Sequence, residues 1–241
     1  MNENEIPGTA PDITSDAKAE IAQQWINQYS GQFKELMAYY RCAMMEVSTK
    51  FNVMNEELSL RYNRNPIESI KSRLKTPESI SDKLRRKGKE LTVESIERNL
   101  NDVAGIRVIV SFPSDIYRIA DALLRQDDVI LIEKKDYIEN PKKNGYRSLH
   151  LIIAIPIFLH DHKKIMTVEV QFRTIGMDWW ASLEHKIKYK RDIANVEQVQ
   201  ADLLLCAQSC FYLDTQMESI YNVANGTDDA GFTIRKYNEE K

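Results

Sequence analysis

Two segments that alternate between polar and apolar residues with a period of two constrain this chain more than any other feature. The run Val168-Glu169-Val170-Gln171-Phe172-Arg173 puts Glu169, Gln171 and Arg173 on one face of a strand, opposite Met166, Val168, Val170 and Phe172. Upstream, Asn144-Gly145-Tyr146-Arg147-Ser148-Leu149-His150-Leu151 contains a glycine suited to a tight turn. The strand after it is predicted to set Tyr146, Ser148 and His150 on one side and Leu149, Leu151 and Ile153 on the other. Such alternation calls for a sheet with one buried and one wet face. A half-buried strand ordinarily has a polar outer face, so the pattern alone needs no function to explain it. What sets it apart is that two neighbouring strands would offer an aromatic ring, an imidazole, a carboxylate, an amide and a guanidinium to one surface.

The remaining signals place helices around these strands. Residues 1–14, with two prolines and few apolar side chains, read as a disordered lead-in. Ile21, Trp25, Tyr29, Phe33, Met37 and Tyr40 recur at near-helical spacing, which predicts a helical stretch over 15–62, interrupted around Ser30-Gly31. A strand is expected over 67–74. Thr76-Pro77-Glu78 is a strong helix start, with a capping hydroxyl, a proline at the first position and an acid in the first turn. That helix should end at Lys87-Gly88, where glycine suits a left-handed cap. Thr92 should cap a second helix over 93–100. Strands at 104–112 and 129–137 flank a helix at 114–125, a loop covers 138–145, and strands at 147–157 and 164–173 form a hairpin. Thr174 should cap a helix to about 190, and a last helix should cover 196–223 before a polar tail from 225. Helices, then a mixed sheet, then helices define an α+β protein.

Composition removes several classes. The 241 residues are 43% hydrophobic and 29% charged with a net charge of -3, so one good core is available and no global charge suggests a nucleic-acid coat. No run reaches the length of a membrane span, and the polar start lacks the regions of a secretory signal, so a cytoplasmic protein without membrane contact is expected. Cys42, Cys206 and Cys210 form neither a CxxC pair nor an even set, and the helical spacing of the last two reads as packing. His160-Asp161-His162 lies between two strand-like runs and reads as a hairpin loop rather than a metal site.

Two further groups carry chemistry. Lys71, Arg73, Lys75, Lys83, Arg85, Arg86, Lys87 and Lys89 cluster around the helix start at Thr76. Helix amides and cations on one side would receive a nucleoside triphosphate, although a solvated cationic helix has the same signature. No GxxxxGK[ST] is present, which argues against a P-loop enzyme. Asp102 stands before an apolar strand, and with Glu169 it supplies two hard oxygen ligands of the kind that hold a phosphate-bound Mg²⁺. Arg107, between Ile106 and Val108, needs a partner or a planar group to stack on if it is buried.

Taken in order, Arg73-Leu74-Lys75 before a Pro-Glu-Ser-Ile helix, Asp102-Val103-Ala104-Gly105-Ile106-Arg107, Asp136-Tyr137-Ile138-Glu139-Asn140-Pro141-Lys142, Asn144 to His150 and Glu169-Val170-Gln171-Phe172-Arg173-Thr174 resemble the synthetase domain of the RelA/SpoT family, over about 66–192. With nothing resembling the family's hydrolase or regulatory domains, the chain resembles a stand-alone small alarmone synthetase. The resemblance implies a nucleotidyltransferase-like mixed β-sheet and a pyrophosphokinase that moves the β,γ-pyrophosphate of ATP to the 3'-OH of GDP or GTP, giving ppGpp or pppGpp and AMP in the stringent response. It implies that Arg73 and Arg107 sandwich adenine and that Lys75, Ser79, Lys83, Arg86, Lys87 and Gly88 hold the ATP phosphates. Asp102 and Glu169 would bind Mg²⁺, with Glu169 also taking the proton from the 3'-OH. Tyr146 would stack on guanine, with Lys142, Asn144 and His150 around the acceptor, Lys135 near its 5'-phosphates and Gln171 orienting it.

The resemblance also divides the chain into a helical extension over 15–65, the synthetase domain over 66–192 and an oligomerisation helix over 193–224, and implies a homotetramer. Regulation by pppGpp or single-stranded RNA stays open, because Asp178, before Trp179-Trp180, is a poor neighbour for phosphate unless cations offset it. Three other functions are compatible with parts of the sequence. A nucleotidyltransferase releasing pyrophosphate often has a Gly-Ser followed by a D-x-D pair, and neither precedes Asp102. A catalytically silent nucleotide- or RNA-binding regulator would not need both Asp102 and Glu169. A purely structural oligomerisation protein is supported only by the apolar flanking helices.

Overall fold

The computed structural model describes residues 30–62, 64–188 and 195–226. The expected lead-in, the helical positions Ile21, Trp25 and Tyr29, and the tail beyond 226 lie outside the described residues. The described elements run α1 (Ser30–Tyr62), β1 (Ile67–Leu74), α2 (Pro77–Arg86), α3 (Val93–Asn99), β2 (Ala104–Val110), α4 (Pro113–Leu124), β3 (Ile130–Asp136), β4 (Leu149–Phe158), β5 (Lys163–Thr174), α5 (Ile175–Lys188) and α6 (Val196–Asn225). They fall into two compact units. One joins residues up to 38 with 75–100; the other joins 39–74 with the residues from 101 onward.

The second unit is built on a five-stranded sheet of order β1-β2-β5-β4-β3. β2 and β5 are parallel and the other neighbours antiparallel, the mixed sheet that the order of elements predicts. β5 lies at the centre, so its apolar face must be dry: Val168, Val170 and Phe172 are fully buried. Phe51 of α1 meets Phe172 edge to face at 5.7 Å, packing on this side of the sheet. The opposite side of β5 carries its polar residues. β4 and β5 turn through Leu159 to His162, where the Leu159 amide donates to the His162 carbonyl at 2.9 Å, the hairpin expected at His160-Asp161-His162.

α4 buries Ile116, Ile119, Ala120 and Leu123 at helical spacing. Its start is tied down by charge. The fully buried Asp115 accepts from the Phe112 amide at 3.2 Å and pairs with both ends of the Arg64 guanidinium, which also lies over the rings of Phe112 and Tyr221. Thr174 caps α5 as expected, its hydroxyl accepting from the Met177 amide at 3.1 Å. β4 begins at Leu149, two residues later than the alternation predicts. Ser148 therefore does not face solvent: it is fully buried and donates to the Phe172 carbonyl at 2.9 Å, because a hydroxyl next to a backbone acceptor is satisfied without water. Cys206 is exposed rather than packed.

In the first unit, Thr76 accepts from the Ser79 amide at 3.3 Å and Thr92 from the Ser95 amide at 3.1 Å, so both expected caps form. Gly88 is left-handed, with φ of 62°, and its amide donates to the Arg85 carbonyl at 2.9 Å.

Candidate active site

Residues in register across a sheet share a face. Lys71, Arg107, Gln171, His150 and Lys135 therefore form one row across all five strands. Two residues along, Arg73, Gly105, Glu169, Ile152 and Glu133 form the next. Of the residues singled out from the sequence, the sheet brings Arg73, Arg107, Lys135, His150, Glu169 and Gln171 onto this face. A Cβ on Gly105 would meet only the Arg73 carbonyl oxygen, at 3.5 Å.

Glu169 is the most heavily engaged of these groups. One carboxylate oxygen lies 3.1 Å from His150 Nδ1, and the other accepts from the Gln171 amide at 3.0 Å. Burial pushes this carboxyl up, but the hydrogen bond and charge of His150 and the bond from Gln171 outweigh it and hold the group below its ordinary value. Asp102, in the turn before β2, opposes them with like charge. The two carboxylates thus sense one another. A pair of hard oxygen donors is of the kind that suits Mg²⁺, which keeps most of its shell as water and phosphate. Among the described residues no group of three or more His, Cys, Asp or Glu side chains could hold a metal by itself.

A chain of contacts leads away from Glu169. His150 Nε2 lies 2.9 Å from the Tyr146 hydroxyl, which accepts from Arg173 at 2.8 Å. Arg173 can only donate and an ionised Glu169 only accept. Tyr146 and His150 thus link these two ends, Arg173 and the carboxylate. Tyr137, which the sequence reading did not single out, meets His150 edge to face at 5.2 Å, and Lys142 Nζ sits 4.5 Å from the Tyr137 ring and 4.8 Å from the Tyr146 ring. Tyr137 lies two residues beyond Lys135, and that parity was the available signal. Asn144 accepts from the Tyr146 amide at 3.2 Å and donates to Glu184 at 3.1 Å. Lys135 donates to its neighbour Glu133 at 2.8 Å, which raises its pKa.

Asp178 is the other centre of charge. It accepts from Lys71 and Arg107 at 3.1 Å and from Arg173 at 3.0 Å. Burial pushes Asp178 up, and these three cations outweigh it, keeping the carboxyl below its ordinary value. Arg107 therefore has an ionic partner, where the sequence left a planar ligand as an alternative. The acid that looked unfavourable beside phosphate is offset by named cations.

Lys75, Ser79, Lys83, Arg86, Lys87 and Gly88 belong to the other unit. Ser79 and Lys83 lie one turn apart on α2. Arg86 donates to the Asp82 carbonyl at 3.4 Å and Lys87 to the Asn99 carbonyl at 2.9 Å, while Arg85 is taken up by Asp82 at 2.5 Å.

A mixed sheet gathers acidic and cationic side chains on one polar face. Comparison with known proteins makes this specific. Residues 72–194 match the model of a region found in RelA and SpoT proteins, and the chain belongs to the RelA/SpoT family. It is 44% identical over 188 residues to the GTP pyrophosphokinase YwaC of Bacillus subtilis, covering 78% of this chain and 90% of that protein. Its fold matches the crystal structure of small alarmone synthetase 2 from Bacillus subtilis with a TM-score of 0.71 and 42% identity, over 79% of this chain and 98% of that one. Small alarmone synthetase 1 from the same organism, bound to its product pppGpp, matches with a TM-score of 0.72 and 31% identity, over 80% and 97%.

Proposed function

We propose that this chain is a small alarmone synthetase, a GTP pyrophosphokinase that transfers the β,γ-pyrophosphate of ATP to the 3'-OH of GDP or GTP in the stringent response. The observation that carries this reading is Glu169: a largely buried carboxylate kept ionised by His150 and Gln171, on a sheet face with Arg73, Arg107 and Lys135. Ionised, it can accept a proton from a hydroxyl, although its lowered pKa makes it a weaker base than an ordinary glutamate. In the proposed step the ribose 3'-oxygen attacks the β-phosphorus of ATP, its proton passes to Glu169, and the bond from the β-phosphorus to the α-bridging oxygen breaks to release AMP.

The remaining roles follow from chemistry and from the family resemblance. Arg73 and Arg107 take the adenine. Lys75, Ser79, Lys83, Arg86, Lys87 and the Gly88 turn bind the triphosphate through cations and donors. Tyr146 stacks on guanine, Lys142, Asn144 and His150 surround the acceptor, Lys135 meets its 5'-phosphates and Gln171 orients it. Asp102 and Glu169 would hold Mg²⁺, which would supply charge neutralisation at the phosphoryl oxygens. We assign catalysis to 66–192, with the flanking helices serving assembly into a homotetramer in the cytoplasm; pppGpp and single-stranded RNA are candidate regulators.

The test is to incubate the protein with γ-labelled ATP, Mg²⁺ and either GDP or GTP and to separate the products by anion exchange. Label in ppGpp or pppGpp with equal AMP is the expected result. Binding of ATP and GDP with no labelled product would overturn it in favour of a silent regulator.

A further inference from the structure

The acceptor loop is held residue by residue from behind. Asn144 donates to Glu184 of α5 at 3.1 Å. Gly145 takes φ of 88° and lies so close to α6 that a Cβ on it would fall 2.5 Å from the Ala207 Cβ and 3.2 Å from Leu204 Cδ1. Tyr146 packs against the buried cluster of Trp180, Leu203 and Ala207, and the Trp180 indole locks α5 to α6 by donating to the Leu203 carbonyl at 2.9 Å. Arg147 lies 4.1 Å over the Phe211 ring and donates to the Ile138 carbonyl at 2.5 Å. Four consecutive residues thus meet α5 or α6, and the backbone touches α6 where only glycine fits. A left-handed φ and a side-chain-free approach coinciding at one residue fix both the direction and the depth of the loop.

We infer that α6 is the back wall of the acceptor site, and that Ala207 and Phe211 are positioning residues that set acceptor affinity through Gly145, Tyr146 and Arg147. The inference deepens the acceptor reading given above and rests on it. The wall is small on purpose at Ala207: a larger residue there pushes the loop and its tyrosine outward, because packed neighbours do not absorb added methyl groups. At Phe211 the wall is filled. Loss of that ring would enlarge a small cavity already lined by Met177, Trp180 and Cys210 and leave Arg147 without its stacking surface.

Neither side chain faces the polar row that contains Glu169, so the expected signature is a split between kinetic constants. In the full chain, Ala207→Val and Phe211→Ala should raise the acceptor KM about tenfold while the ATP KM stays within about twofold. Unchanged acceptor KM in both folded variants, or an equal rise in the ATP KM, would overturn the inference. Because Ala207→Val could fail to fold, a second pair decides independently. Gly145→Ala should weaken the acceptor, and Ala207→Gly in the same chain should restore part of the loss, a coupling that backbone strain at Gly145 alone would not produce. No restoration counts against the contact. Calorimetric titration of each variant with GDP separates the two readings: if the unsubstituted chain makes no alarmone, the catalytic proposal fails, while a GDP affinity that falls in these variants still supports the wall.

Discussion

The Glu169 carboxylate has a donor on each oxygen, and this crowding decides how it can act. His150 and Gln171 hold it in one plane and keep it ionised, so the amide of Glu169→Gln would lose the charge while keeping the shape. Turnover should fall by about a thousandfold or more with ATP affinity nearly unchanged in calorimetry; near-normal turnover would remove Glu169 as the base. Tyr146 has two separable parts. On the proposed reading its ring stacks on guanine, and Tyr146→Ala should raise the acceptor KM by about tenfold or more. Its hydroxyl joins Arg173 to His150. Tyr146→Phe keeps the ring and cuts that chain, so kcat should fall several-fold, about the effect of one lost hydrogen bond, while the acceptor KM changes little. Identical kinetic profiles for the two variants would refute the division.

At the scale of elements, α5 is docked to the sheet by charge. Asp178 in its first turn gathers Lys71 from β1, Arg107 from β2 and Arg173 from β5. Arg173 is nearly buried and Lys71 mostly exposed, so most of the energy belongs to the arginines. Asp178→Asn strands a buried guanidinium and should cost about 3 kcal/mol in chemical denaturation. The sign of the pH dependence follows. The folded carboxyl titrates below its ordinary value of 3.8, so its contribution is complete above that pH and is lost as pH falls through the lowered value. The variant should therefore lose less stability than the parent below about pH 4; parallel acid profiles would show that Asp178 is not the group responsible.

At the scale of the whole molecule, α6 has two different faces. Leu203 and Ala207 are buried behind the acceptor loop, whereas Leu205, Tyr212, Leu213, Met217, Ile220 and Val223 are all more than half exposed. A helix that leaves this much apolar surface open fits the proposed assembly, and light scattering should give four times the chain mass; a monomer would refute the tetramer. The period of two in 168–173 and the capping residues Thr76, Thr92 and Thr174 specified strands and helix starts directly, because backbone hydrogen bonding responds to neighbours a few residues away. The ordered motifs likewise made the family legible. Sequence reading erred at Ser148, whose burial depends on a carbonyl from another strand, and left Arg107 without its partner, because Asp178 is distant in sequence. Which residues share a register row, which cations meet Asp178, and why Gly145 must lack a side chain next to Ala207 were decided only by tertiary structure. Period and capping act along the chain; register, charge pairing and steric approach act across it.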